Sequence, residues 1–132
     1  MVNVMLIDDH PVVRAGLRAI LNAFPDIVVV LEGSDGSAVE KLADADVPHI
    51  DVVVCDIQMP DVDGIAATRR VRELDGPPVL ILTTYDTQAD ILAAVEAGAL
   101  GYLLKDAPEE TLHAAVLDTA AGKRTLAPEV TN

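Results

Sequence analysis

Three carboxylates and one ammonium fall where short apolar runs stop. Asp8 and Asp9 follow Val4-Met5-Leu6-Ile7, Asp56 follows Val52-Val53-Val54-Cys55, and Lys105 follows Tyr102-Leu103-Leu104. In an open α/β sheet the ligand crevice lies beyond the carboxyl ends of the strands, where the strand order reverses, so these separated positions can converge on one pocket. Carboxylates this close repel one another unless a cation joins them. A hard divalent ion prefers oxygen ligands and keeps several waters. The set therefore suits Mg²⁺, or Mn²⁺, together with a phosphoryl group. Asp56, ending a central strand, is the nucleophile candidate. Asp8, Asp9, Asp56 and a backbone carbonyl near Gln58 are the candidate metal ligands. Thr83, ending the next strand, can donate a hydroxyl hydrogen bond, and Lys105 can neutralise a phosphate oxygen; both would stabilise charge on a transferring phosphoryl group.

Each residue alone has a plainer reading. An aspartate before a helix is usually a cap, Thr83 a strand residue and Lys105 a surface cation. It is the joint placement at four strand ends that favours a site.

The elements that must position these groups are legible from periodicity. Strands are expected over residues 2–7, 27–32, 51–55, 79–83 and 101–104, short and almost continuously apolar, as in a parallel sheet covered on both faces. Between them, helical spacing relates Val13, Leu17, Ile20, Leu21 and Phe24, then Ala38, Leu42 and Ala45, then Ala67, Val71 and Leu74. Ile91 with Val95 marks a fourth helix, and Leu112, Ala115 and Val116 a fifth. Pro11 opens the first helix and Gly64 loosens the start of the third. Asp106 with Glu109 resembles a capping box, and Pro108 is tolerated in that first turn. Five β/α units result: a flavodoxin-like, doubly wound five-stranded parallel sheet of order 2-1-3-4-5, in which Asp56 faces Asp8 and Asp9 across the crevice between strands 1 and 3.

Composition narrows the function. The 132 residues fit one domain, and 22 acidic against nine basic residues leave a net charge of −13, which opposes direct nucleic-acid binding by this segment. Cys55 has no partner for an internal disulfide and reads as core. No signal peptide or bilayer-spanning stretch is evident, so a soluble cytoplasmic location is expected. Asp61-Val62-Asp63-Gly64 fails as an EF-hand, because aligning Gly64 puts Met59 and Arg70 at ligand positions. There is no P-loop or dinucleotide fingerprint. His10, His49 and His113 lack metal-ligand spacing and are expected in solvent or capping roles.

The segments Asp8-Asp9-His10-Pro11, Asp56-Ile57-Gln58-Met59-Pro60, Asp63-Gly64, Thr83-Thr84-Tyr85 and Gly101-Tyr102-Leu103-Leu104-Lys105-Asp106 together resemble the receiver domain of bacterial two-component response regulators, in particular the NarL/FixJ branch. The likeness covers nearly the whole chain. It implies that Asp56 accepts a phosphoryl group from a sensor histidine kinase, that Asp8 and Asp9 organise Mg²⁺ with the Gln58 carbonyl, and that Lys105 contacts the phosphoryl group. Thr83 and Tyr102 match the family's switch pair; from the residues alone Tyr102 reads as a half-buried aromatic on an edge strand. The same likeness implies a signalling domain that catalyses its own phosphotransfer and autodephosphorylation, controls a transcriptional output, and forms a phosphorylation-dependent homodimer. Residues 1–122 would be the receiver, and 123–132 a tail or the start of a linker to an absent helix-turn-helix domain. Many receivers carry proline after the lysine. Here Asp106 follows, and a cis bond without proline costs about 2.5–4 kcal/mol, which leaves the isomer open. The competing readings are a Mg²⁺-dependent phosphohydrolase, although Asp56-Ile57-Gln58 lacks the second acid of the haloacid-dehalogenase pattern, and a phosphorylation-independent interaction module.

Overall fold

The computed structural model describes residues 1–84 and 88–126. Its strands are β1 (Val2–Ile7), β2 (Ile27–Gly33), β3 (Val52–Asp56), β4 (Val79–Thr83), β5 (Gly101–Leu104) and a two-residue β6 (Thr125–Leu126), and its α-helices are α1 (Pro11–Ala23), α2 (Gly64–Glu73), α3 (Gln88–Ala97) and α4 (Glu109–Ala120). A 3₁₀ helix over Gly36–Ala43 follows β2. All ladders are parallel, and the order is β2-β1-β3-β4-β5-β6. The expected 2-1-3-4-5 arrangement is present, and β6 extends it beyond β5.

Alternation along the strands builds two cores. Val4, Leu6, Val52, Val54, Leu80, Leu82 and Leu103 pack with Leu17, Leu21, Leu112 and Val116 of α1 and α4. Met5, Ile7, Val53, Cys55, Ile81 and Tyr102 face the other way, against Val39, Ala67, Val71 and Ala94. Strands covered on both faces keep few polar positions. The charged residues are thereby left to the strand ends.

Several local expectations need correction. The second helix is 3₁₀ and stops before the exposed Ala45, because the Asp44 carboxylate accepts the Asp46 amide at 3.0 Å and so offers the backbone a turn instead. α3 buries Ala94 and Ala97, with Ile91 and Val95 only half-buried. Val13 is 38% exposed, because it faces the crevice instead of the core. The Asp106–Glu109 capping box does not form: Pro108 is the N-cap of α4 and no side chain caps it, since the chain first turns through an Ala107 amide to Leu104 carbonyl bond of 3.1 Å. Tyr102 is 1% exposed rather than half-buried, and β6 lies outside its strand. Lys105–Asp106 is trans.

Candidate functional site

At the carboxyl end of the sheet β1 delivers Asp8, β3 delivers Asp56, β4 delivers Thr83, and the turn after β5 delivers Lys105. All but the lysine are buried, Asp8 at 1%, Asp56 at 5% and Thr83 at 2% exposure. Backbone bonds fix these ends. The Lys105 amide donates to the Thr83 carbonyl at 2.8 Å, joining β4 to the Lys105 turn, and the Ile57 amide donates to the Leu82 carbonyl at 3.1 Å. The Gly64 amide reaches the Ile57 carbonyl at 2.9 Å. A methyl at Gly64 would overlap the Asp56 carbonyl and sit 2.8 Å from Ile57 Cα, so only glycine lets the start of α2 come this close. Asp63 caps that helix by accepting the Ala66 amide at 2.9 Å.

Lys105 Nζ bridges the two buried carboxylates, 2.8 Å from Asp8 Oδ2 and 3.2 Å from Asp56 Oδ2. Burial holds the Asp56 carboxyl above the ordinary carboxylate range; Lys105 opposes this, Asp8 adds to it, and a backbone hydrogen bond from Gln58 opposes it. Burial works against the Lys105 ammonium too, but its hydrogen bond to Asp8 and the charges of Asp56 and Asp8 outweigh that and raise its pKa. Asp8 is held from both sides, its Oδ1 accepting the His10 amide at 2.9 Å and its carbonyl accepting from Arg14 at 2.7 Å. Burial pushes the Cys55 thiol well up, and its S–H donates to the Asp56 carbonyl at 3.3 Å, so this cysteine is core and not a nucleophile.

The donor set fits a divalent cation. Ligand atoms of Asp8, Asp9, His10 and Asp56 lie within 4.8 Å of one another. Asp9 Oδ1 is buried without a hydrogen-bond partner; His10 Nδ1 is 3.0 Å away but makes no hydrogen bond to it. A buried carboxylate oxygen left in this state suits an ion as its partner. His10 is the residue that spacing missed. It is the N-cap of α1 but caps nothing with its side chain, and its ring turns back toward the acid pair. The signal was its adjacency to Asp9. Gln58 is exposed at the rim, and a cleft of about 400 Å³ is lined by His10, Asp56, Gln58, Thr83 and Lys105 among others. Tyr102 lies apart from this crevice, within the core. Tyr85, part of the resemblance, falls outside the described residues.

The sequence profile of the family described as "Response regulator receiver domain" matches residues 4–117. The chain belongs to this family. The transcriptional regulatory protein LiaR of Bacillus subtilis (strain 168) is 41% identical over 131 residues, covering 98% of this chain and 61% of its own length. The nitrate/nitrite response regulator NarP of Escherichia coli (strain K12) is 37% identical over 129 residues, covering 96% of this chain and 59% of its own length. Among solved structures, the response regulator ChrA of a heme-sensing two-component system is 67% identical with a TM-score of 0.84, covering 99% of this chain and 62% of that one. The receiver domain of the putative response regulator NarL from Mycobacterium tuberculosis is 37% identical with a TM-score of 0.84, covering 92% of this chain and 98% of that one. This receiver thus spans about three fifths of the curated relatives named here, which bear out the NarL branch. Among the described residues no helix is long and apolar enough to cross a membrane.

Proposed function

We propose that this receiver accepts a phosphoryl group on Asp56 from a sensor histidine kinase and passes the change to a transcriptional output. The observation that carries the reading is the Lys105 bridge to Asp8 and Asp56, at 2.8 and 3.2 Å, beside a buried Asp9 oxygen that accepts no hydrogen bond. An Asp56 carboxylate oxygen attacks phosphorus; the bond to the donor nitrogen breaks as the acyl phosphate bond forms, and that nitrogen leaves with the electron pair. Asp8, Asp9, Asp56 and the Gln58 carbonyl would hold Mg²⁺ or Mn²⁺, with the His10 ring at the edge of the set. Bound there, the ion offsets negative charge on the carboxylates and phosphoryl oxygens. Lys105 exchanges its hold on Asp56 for a phosphoryl oxygen, and Thr83 supplies a hydroxyl donor to another. Hydrolysis by water returns Asp56 to the carboxylate.

The switch assignment belongs to the same reading. Thr83 drawn toward the phosphoryl group makes room that Tyr102, already 1% exposed, holds more firmly. That biases the α3, β5 and α4 surface between two populations. Dimerisation through this surface or through α1 and α4 would bring tethered DNA-binding domains together, while the acidic receiver itself stays off DNA. We assign residues 1–122 to the receiver unit and 123–132 to the connecting segment. One relative supports the chemistry: the isolated receiver of RcsB from Salmonella enterica serovar Typhimurium, 27% identical with a TM-score of 0.82, was solved with the phosphomimetic BeF3⁻.

Intact-mass measurement after incubation with acetyl phosphate and Mg²⁺ tests the proposal. One phosphoryl group on the parent and none on Asp56→Asn is expected. Stoichiometric labelling of that variant, mapped elsewhere, would sink the assignment.

A further inference from the structure

Asp8 stands between two peptide groups, and each is tied to a different partner. The Asp8 amide donates to the Gly33 carbonyl, at the end of β2, at 3.1 Å. The Asp8 carbonyl, which belongs to the peptide joining Asp8 to Asp9, accepts from Arg14 Nη1 at 2.7 Å. A peptide group is planar, so fixing that carbonyl also fixes the plane from which the Asp9 backbone departs.

Arg14 is itself anchored. Its Nε is 3.3 Å from Glu32 Oε1, and Glu32 precedes Gly33 in β2. The contacts close a ring: from the Asp8 amide to Gly33, one residue back to Glu32, across to Arg14, and back to the Asp8 carbonyl. The Arg14 amide also donates to the His10 carbonyl at 2.8 Å, so one residue brackets the Asp8-Asp9-His10 turn with backbone and side chain together. Arg18, one helical turn further along α1, meets both oxygens of Glu32 at 3.0 and 2.9 Å, and among the described residues makes no hydrogen bond to that turn. Asp9 Oδ1 is buried and accepts no hydrogen bond, so its aim is set by the backbone that carries it.

We propose that Arg14 is a positioning residue for the cation site: through the Asp8 carbonyl it fixes the Asp8–Asp9 peptide plane and thereby the direction of the Asp9 carboxylate. The proposal rests on the reading of the crevice as a divalent-cation site. Two plainer roles for Arg14 differ in what they predict. An ion pair that merely ties α1 to β2 would not single out Asp9. The arginine's charge acting alone would repel a cation, so its removal would tighten binding.

The test is a Mg²⁺ titration of the full chain followed by NMR, which also reads weak binding. Arg14→Ala should bind Mg²⁺ about tenfold more weakly, as when a partner that orients a metal ligand is lost. Arg14→Lys keeps the charge but lacks the fork that spans Glu32 and the Asp8 carbonyl, and should lose affinity too. Arg18→Ala removes the same charge from the same glutamate and should bind Mg²⁺ at least as tightly as the parent. Beside Asp9→Ala, Arg14→Ala should have little further effect on affinity, because the carboxylate it positions is gone. Should Arg14→Ala fail to fold, Arg14→Lys carries the same comparison. Parental or tighter Mg²⁺ binding by the folded Arg14 variants overturns the proposal. So does an equal loss in Arg18→Ala, or an Arg14 effect that persists in full beside Asp9→Ala. Unchanged Mg²⁺ binding in Asp9→Ala alone would remove the cation-site reading and the proposal with it, whereas weakened binding there with unchanged binding in Arg14→Ala would remove the proposal only.

Discussion

Two ion-pair clusters in this molecule use the same chemistry in opposite settings. On the surface, Arg70 meets Glu40 at 2.7 and 3.0 Å, tying α2 to the 3₁₀ helix, with side chains 42% and 53% exposed. Beneath the crevice, Lys105 meets Asp8 and Asp56 at similar distances with carboxylates at 1% and 6% exposure. At the surface the Glu40 carboxyl is lowered by its hydrogen bond from Arg70, the usual sign for a paired acid. In the crevice Asp56 is raised despite its lysine, because burial costs its charge more than the lysine returns. The lesson is that the surface pair relaxes its acid, whereas the buried cluster leaves an acid that would gain from a further cation or from carrying a phosphoryl group. Such unresolved electrostatics is characteristic of functional sites.

The comparison can be broken by mutation, beginning with the largest effect. Asp56→Asn should abolish phosphoryl labelling while leaving thermal stability equal to or above the parent's, because a costly buried charge is removed; calorimetry that found it strongly destabilised would contradict the electrostatic account. Lys105→Ala should lower stability by about 2–3 kcal/mol at neutral pH in a denaturant titration, somewhat below the cost of breaking a fully buried pair since water reaches the lysine. Asp9→Ala should weaken Mg²⁺ binding more than Lys105→Ala does, and equal losses in metal titrations would argue against separate roles.

The pH dependence sharpens the same contrast. With Asp56 raised in the fold above the ordinary aspartate range, the folded state binds that proton more tightly than the unfolded chain. This group therefore adds stability as pH falls through its folded pKa, opposite to the usual carboxylate, and labelling should fall over the same interval. Lys105 is raised above 10.5, so its contribution is fully present below that pH and is lost as pH rises through the folded value. Unfolding and labelling followed across both ends of the pH range check the two signs. The smallest effect is expected at the surface, where Arg70→Ala should leave the melting temperature within error of the parent, as exposed pairs commonly do.

Most of the sheet is visible in the sequence because burial on both faces demands consecutive apolar residues, and the carboxylates stand out by interrupting them. The five strands fall within a residue or so of their expected limits, and Asp8, Asp56, Thr83 and Lys105 meet at the strand ends. Periodicity gave an incomplete stripe for α3, where Ile91 packs half-buried against the core while the small Ala94 and Ala97 are fully buried.

What the sequence determined by itself is the alternation of buried strands and amphipathic helices, and with it the end of the sheet where charge must collect, since both follow from local patterns of polarity. Tertiary structure alone decided that the His10 ring turns toward Asp9, that Lys105 spans two carboxylates, that Tyr102 is wholly buried, and that Thr125–Leu126 closes the sheet. Each of these depends on distances between residues far apart in the chain or on a rotamer chosen by neighbours, and polarity patterns carry neither.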